Sequence, residues 1–174
     1  MRIRKEETSD HGAVFHVVEK AFENEIYTDH QEQFLVERLR ESAAFVPELA
    51  LVAESGGEVV GYILLTKIRI VNEHGSTTSL ALAPVAVLPA HQRKGVGELL
   101  IKSAHEKAKA LGFGSVVLLG HENYYPRFGY QLAGNYDIKL PFDVPAENCM
   151  AIELVEGTLN DVNGMVEYPP EFNG

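Results

Sequence analysis

The chain has 174 residues, of which 45% are hydrophobic and 23% charged, as is typical of one globular domain. Its formal net charge of -10 argues against nucleic acid or an anionic membrane as partner, because both need a basic surface. Its apolar runs are shorter than the ~20 residues that span a bilayer, and no apolar leader follows Met1. We therefore expect a cytoplasmic protein with a single domain over residues 1–174.

The N-terminal part predicts one strand and two helices. Residues 2–6 are expected to form a short edge strand. A first helix, with Ser9 or Asp10 as its cap, is predicted by apolar side chains at helical spacing. These are Val14, Val17, Val18, Ala21 and Phe22. A second helix is expected to begin near Thr28, which fits a capping box with Gln31. Its apolar face would carry Phe34, Leu35 and Leu39.

A series of strands follows. Residues 49–53 and 59–70 flank a turn at 55–58 and predict a hairpin. Residues 80–88 are apolar almost without interruption, which is typical of a central strand covered on both faces. Because proline cannot donate to a ladder, Pro84 predicts a bulge or a local break in pairing in that strand.

The second half predicts a strand–helix–strand crossover and an irregular end. A helix is expected over 95–111 with Gly112 as its C-cap, and then a buried strand over 115–119. The crossover makes the strands that flank this helix parallel neighbours. Residues 136–140 and 150–155 are strand-like, and the final stretch, rich in Pro, Gly and Asn, is expected to be irregular. The order predicts a mixed α/β sheet with helices on both faces.

Residues 92–97 form a glycine-bearing turn between a strand and a helix. The first N–H groups of a helix lack internal partners, so a pyrophosphate can accept bonds from them. Gly95 and Gly97 leave the backbone open to close approach, and Arg93 and Lys94 add positive charge. The alternative is a turn that only redirects the chain. Neither a Walker loop nor a three-glycine dinucleotide fingerprint is present.

The pattern Gln92-x-x-Gly95-x-Gly97 resembles the [QR]-x-x-G-x-[GA] signature of the GNAT N-acetyltransferase superfamily, and residues 85–89 resemble its fourth strand. Residues 47–65 are similar to the YhbS-type subgroup of predicted acyltransferases. The resemblance implies a twisted, mostly antiparallel sheet of about six to seven strands, in which parallel strands four and five splay apart.

The resemblance also implies acetyl-CoA as acyl donor and, as acceptor, a primary amine of either a small molecule or a protein. The pantetheine arm would pair with the backbone of Val85 and Val87. The pyrophosphate would be bound by Gln92, Arg93, Lys94, Gly95, Val96 and Gly97. A catalytically weak acyl-CoA-binding regulatory module is the competing function, and either a monomer or a homodimer is compatible with the sequence.

Residues 124–130 resemble a second GNAT motif, an aromatic–Tyr pair before [KR]-x-G-[FY]. On this match Tyr125 is the catalytic residue near the acyl-CoA sulfur, whereas Tyr124, Phe128 and Tyr130 are expected to pack. The alternative is a core aromatic cluster without a catalytic role. Tyr125 would donate a proton or a hydrogen bond to the departing thiolate.

The acceptor side is less well defined by the sequence. Residues 80–88 contain no acid, so the general base that some relatives place on this strand has no counterpart. Glu25, His74, His121 or ordered water are the candidates. The seven histidines lack helical ligand spacing, so no metal site is predicted, and the single Cys149 is interpreted as a small apolar residue.

Overall fold

The computed structural model describes residues 1–26 and 28–173. Within these ranges the chain forms three α-helices and nine strands, joined by short 3₁₀ turns. The helices are α1 (His11–Phe22), α2 (Glu32–Arg40) and α3 (Val96–Ala110). The strands are β1 (Arg2–Lys5), β2 (Ala50–Ser55), β3 (Glu58–Asn72), β4 (Gly75–Val87), β5 (Ser115–Leu119), β6 (Gln131–Leu132), β7 (Ile138–Lys139), β8 (Cys149–Glu153) and β9 (Gly164–Glu167). None of the helices described has the length and hydrophobicity of a membrane span.

The chain divides into two compact units. The first comprises Met1–Thr66, Ala83–Lys107 and the residues from Pro170 onward, and the second comprises Lys67–Leu82 and Ala108–Pro169. Strands β3 and β4 and helix α3 each contribute residues to both units. The single domain expected from the sequence stays a prediction.

In the first unit, β1 pairs with β2 and β2 pairs with β3, both antiparallel. Buried side chains of α1, α2, β2 and β3 share one apolar cluster. Val14, Val17 and Val18 of α1 are buried, as their spacing predicted. The second helix begins at Glu32 and not at Thr28. The Thr28 hydroxyl accepts the N–H of His30 at 3.0 Å, so it closes a local turn and does not cap a helix.

In the second unit, β4 and β5 are parallel, with Leu80 opposite Val116 and Ala81 opposite Val117. This confirms the predicted crossover. Antiparallel to β5 runs β8, and β6 pairs with β8. The expectation of an irregular C-terminal stretch was wrong for β9, which pairs antiparallel with β3. It has only four residues, of which one is buried, so no periodicity marks it as a strand.

The hydrogen-bonded strand order is β1-β2-β3-β4-β5-β8-β6, with β9 on β3 and β7 on β9. Parallel pairing occurs in β4–β5 and β7–β9, and the other pairs described above are antiparallel. The predicted α/β fold with a mixed, mostly antiparallel sheet is therefore confirmed. The strand total exceeds the expectation because β6 and β7 contain only two residues each.

Candidate functional site

The turn predicted to bind phosphate connects β4 to α3. After Val87 the chain makes a 3₁₀ turn over Pro89–His91, and Gln92 is extended, with φ -69° and ψ 157°. The Gln92 side chain reaches back, and its Nε2 donates to the Val87 carbonyl oxygen at 3.1 Å. Gln92 therefore fixes the turn to the end of the strand, a contact that its place in the motif did not reveal.

Two residues of the turn have left-handed backbone. Arg93 has φ 63° and Gly95 has φ 82°. Such a conformation costs a residue with a side chain about 1–2 kcal/mol and costs glycine almost nothing. A Cβ added to Gly95 would have no atom within 4 Å, so the space beside it is open. Glycine is thus needed here for its conformation, and its bare backbone faces open space.

The backbone N–H groups of the turn have no partner among the residues that the structure describes. Within residues 1–26 and 28–173, no acceptor receives the N–H of any residue from 93 to 97. The first bond of the helix comes later, when Leu99 donates to the Gly95 carbonyl oxygen at 3.1 Å. N–H groups without a partner at the positive end of a 15-residue helix have the geometry and the partial charge that suit an anion.

Side chains add charge to the same turn. Arg93 and Lys94 are exposed cations. The acidic Glu98 in the first turn of α3 forms an ion pair with Lys102 at 2.7 Å, so its charge is partly compensated. The turn is therefore a local basic spot on an acidic chain, and a phosphorylated ligand is the class of molecule that it suits.

Strand β4 is irregular where proline predicted a bulge. Ala83 and Ala86 both lie in the core cluster of the first unit, although strict alternation would place them on opposite faces. Pro84 and Val85 lie between them, so the alternation shifts at this point. Val85 and Val87, the residues expected to pair with a pantetheine arm, are half-buried.

A glycine in β3 lets the start of α3 pack closely on the strand. A Cβ on Gly61 would lie 3.0 Å from both Val96 Cγ1 and Leu100 Cδ1, and 3.3 Å from the Ala53 Cβ. The first helical residue, Val96, is only 2% exposed. Gly61 therefore positions the end of α3 that carries the unpaired N–H groups. In the sequence, an isolated glycine within an apolar strand was the signal that another element packs closely against the strand backbone at this point.

Tyr125 belongs to the second unit, begins the 3₁₀ turn Tyr125–Phe128 and is 7% exposed. Its ring makes edge-to-face contacts with Tyr124 at 5.0 Å and with Tyr130 at 5.8 Å between centroids. The packing predicted for these neighbours is confirmed. The Tyr125 hydroxyl makes no hydrogen bond to any described residue. Burial raises the pKa of Tyr125, with a smaller contribution from Tyr124, so the hydroxyl stays protonated at neutral pH.

The other residues that the sequence suggested for catalysis or metal binding do not share the buried environment of Tyr125. Glu25, His74 and His121 are all exposed. Cys149 is half-buried, and burial raises the pKa of its thiol, so it does not have the properties of a reactive thiolate. In the described part of the chain, no group of three His, Cys, Asp or Glu side chains is arranged to hold a metal ion.

The fold and the turn together define a class of protein. A mixed sheet with a parallel β4–β5 pair leads through a glycine turn into a helix that presents unpaired N–H groups. The model of the Acetyltransferase (GNAT) family matches residues 16–130. The chain belongs to this family, as its motifs predicted.

Several bacterial proteins resemble the chain over most of its length. It is 34% identical over 146 residues to the uncharacterized N-acetyltransferase YjhQ of Escherichia coli K12, which covers 79% of this chain and 81% of that protein. It is 29% identical over 174 residues to the uncharacterized N-acetyltransferase YhbS of the same strain, with 99% of both covered. The predicted YhbS-like character is thus confirmed.

Two solved structures share the fold. The crystal structure of YhbS from Escherichia coli in complex with CoA has a TM-score of 0.89 at 27% identity and covers 99% of this chain and 92% of that chain. A GNAT family acetyltransferase from Brucella melitensis in complex with acetyl-CoA has a TM-score of 0.80 at 29% identity and covers 98% and 97%.

Proposed function

We propose that this chain is an N-acetyltransferase that moves an acetyl group from acetyl-CoA to a primary amine. The observation that carries the proposal is the row of unpaired backbone N–H groups at residues 93–97. A diphosphate accepts several hydrogen bonds at such a helix end, and coenzyme A carries one. The CoA and acetyl-CoA complexes of two similar GNAT proteins support the same ligand class.

Each part of the donor is assigned to a segment of the first unit. The backbone of Val85 and Val87 is proposed to pair with the pantetheine arm, since the strand is irregular there. The turn is proposed to bind the pyrophosphate. The residues that contribute are Gln92, Arg93, Lys94, Gly95, Val96 and Gly97. Arg93 and Lys94 contribute charge, and Gly95 contributes open space beside its backbone.

The reaction is proposed as direct attack. The neutral amine nitrogen attacks the thioester carbonyl carbon and forms the new C–N bond. A backbone N–H of β4 near Val87 binds the oxyanion of the tetrahedral intermediate. Collapse breaks the C–S bond and the thiolate leaves. The thiolate takes up one proton to become the thiol, which balances the proton that the amine nitrogen loses. Because Glu25, His74 and His121 are exposed, ordered water is assigned to carry the amine's proton.

Tyr125 is proposed to stabilise the departing thiolate by a hydrogen bond. A thiol has a pKa near ~8.5 and tyrosine one near ~10, so full proton transfer is uphill by roughly 2 kcal/mol. Burial raises the pKa of Tyr125 further, which makes full transfer still less favourable. A hydroxyl that has no partner among the described residues can donate its hydrogen bond to the sulfur throughout the step.

The test measures thiol release with acetyl-CoA and a panel of amines. Replacing Tyr125 with Phe should lower turnover by roughly 100-fold or more while leaving CoA affinity unchanged. The matched control is Tyr136→Phe, which removes a hydroxyl from the half-buried Tyr136 in the 3₁₀ turn Ala133–Tyr136 and should behave as the parent. Equal thiol release by Tyr125→Phe and the parent would refute the role of Tyr125.

The same assay separates the competing function. Thermal stabilisation by acetyl-CoA without turnover of any amine would indicate an acyl-CoA-binding module in place of an enzyme. The unengaged hydroxyl of Tyr125 favours the enzyme, since a buried phenol in a purely structural cluster normally pairs its hydroxyl.

A further inference from the structure

The end of strand β5 is held by an unusual pair of hydrogen bonds. In the antiparallel ladder, Leu119 lies opposite Cys149, and the next residue, Gly120, donates its N–H to the Asn148 carbonyl oxygen at 2.9 Å. The return bond does not come from the Asn148 N–H, which donates to Pro145 at 3.1 Å. Instead, the Asn148 side-chain Nδ2 donates to the Gly120 carbonyl oxygen at 3.0 Å. The side chain therefore completes the ladder where the backbone turns away.

Gly120 is in direct contact with the ring of Tyr125. A Cβ on Gly120 would lie 2.2 Å from Tyr125 Cε2 and 2.7 Å from its Cδ2, distances that no real side chain tolerates. The φ of Gly120 lies outside the left-handed region, so glycine is needed here for space and not for conformation. The bare backbone of Gly120 thus forms one wall of the Tyr125 ring site.

The Tyr125 ring also contacts two other tyrosines, and its backbone is hydrogen-bonded to the residue that follows Gly120. Tyr124 and Tyr130 contact the Tyr125 ring edge-to-face. The next residue after Gly120 is His121, whose carbonyl oxygen accepts the N–H of Tyr124 at 3.1 Å and that of Tyr125 at 3.5 Å. A shift of the Gly120 backbone would therefore displace both the Tyr125 ring and the 3₁₀ turn that begins at Tyr125.

We propose that Asn148 is a positioning residue for the Tyr125 hydroxyl, acting through its two hydrogen bonds to Gly120. This inference rests on the proposed role of Tyr125. A displacement of about 1 Å at a catalytic group can lower a rate by roughly 100-fold, so a contact that holds the Gly120 backbone influences turnover without touching substrate. The contact joins residues 28 positions apart and has no counterpart in either GNAT motif.

The experiment combines Asn148→Asp with Tyr125→Phe. Aspartate has nearly the same shape as asparagine but cannot donate to the Gly120 carbonyl oxygen at neutral pH. Measurements of kcat and of KM for acetyl-CoA are made for the parent, both single variants and the double variant. The matched control is Asn160→Asp, the same change at an exposed position of the same unit.

The expected result is a non-additive cycle. Asn148→Asp lowers kcat about tenfold, changes KM by less than about twofold, and lowers kcat by less than about twofold when Tyr125 is already Phe. Asn160→Asp matches the parent. A structural role alone would lower kcat by the same factor in both backgrounds, and that result would overturn the inference.

Other outcomes separate the inference from the function on which it rests. A normal kcat for Asn148→Asp together with a slow Tyr125→Phe overturns the positioning role alone. A normal kcat for Tyr125→Phe overturns the proposed role of Tyr125 and the positioning role with it. If circular dichroism shows that Asn148→Asp does not fold, the uncharged Asn148→Ala takes its place in the same cycle, and the same criteria apply.

Discussion

Alanine substitutions at the two ends of α3 separate the effect of backbone strain from the effect of ligand binding. Gly95 and Gly112 flank the helix with φ 82° and 94°, and neither has an atom within 4 Å of an added Cβ. Alanine in this conformation costs about 1–2 kcal/mol because its Cβ crowds the backbone carbonyl. Since nothing clashes at either site, Gly95→Ala and Gly112→Ala should lower the free energy of unfolding by the same amount.

The two glycines differ in what their N–H groups bind. Gly112 donates to the Lys109 carbonyl oxygen at 3.0 Å, and Phe113 donates to that of Ala108 at 3.0 Å, so this helix end is closed. The N–H of Gly95 has no partner among the described residues and is proposed to meet the diphosphate. Alanine keeps this N–H, but its Cβ would occupy the open space beside the backbone that the diphosphate is proposed to approach. We therefore expect Gly95→Ala to weaken CoA binding by about tenfold or more, equivalent to about 1.4 kcal/mol, and Gly112→Ala to leave it unchanged.

Urea unfolding and calorimetric titration with CoA measure the two effects independently. In a thermal melt, a loss of 1 kcal/mol in the free energy of unfolding should lower Tm by about 2–4 °C in a protein of this size, and both variants should show such a shift. An equal loss of CoA affinity in both variants would show that strain alone is responsible. Unchanged affinity in Gly95→Ala would refute the proposed diphosphate site.

Three further predictions concern the support of the turn and the pH dependence of stability. Gln92→Ala removes the bond to Val87 and should lower the free energy of unfolding by about 0.5–1 kcal/mol and CoA affinity severalfold, measured as above. Gly61→Ala should displace the start of α3, shifting the amide resonances of residues 93–97 in NMR spectra. Burial lowers the pKa of His105 to about 4, so the unfolded chain binds more protons between pH 6.5 and 4. Urea unfolding should show stability falling as the pH drops through this window, and His105→Gln should flatten the fall.

The parts of the fold that the sequence predicted are those set by neighbouring residues. The helix expected over 95–111 forms at Val96–Ala110, and the strand over 115–119 forms as expected. The helix depends on local periodicity and a glycine cap, and the strand depends on a short run of buried apolar residues. The start of α2 was wrong because two alternatives were local as well: a threonine hydroxyl can cap a helix or close a turn, and only the structure shows that Thr28 does the second.

The same distinction divides the candidate site. The turn at residues 92–97 could be predicted from local sequence, because the glycine, the cations and the helix start follow one another in the chain. The surroundings of Tyr125 depend on contacts between distant residues, above all the bonds between Gly120 and Asn148. The motif could therefore identify Tyr125 but not its chemistry. Burial of the ring raises the pKa of the hydroxyl, so for the proposed role of Tyr125 a hydrogen bond to the thiolate is more favourable than delivery of a proton to it.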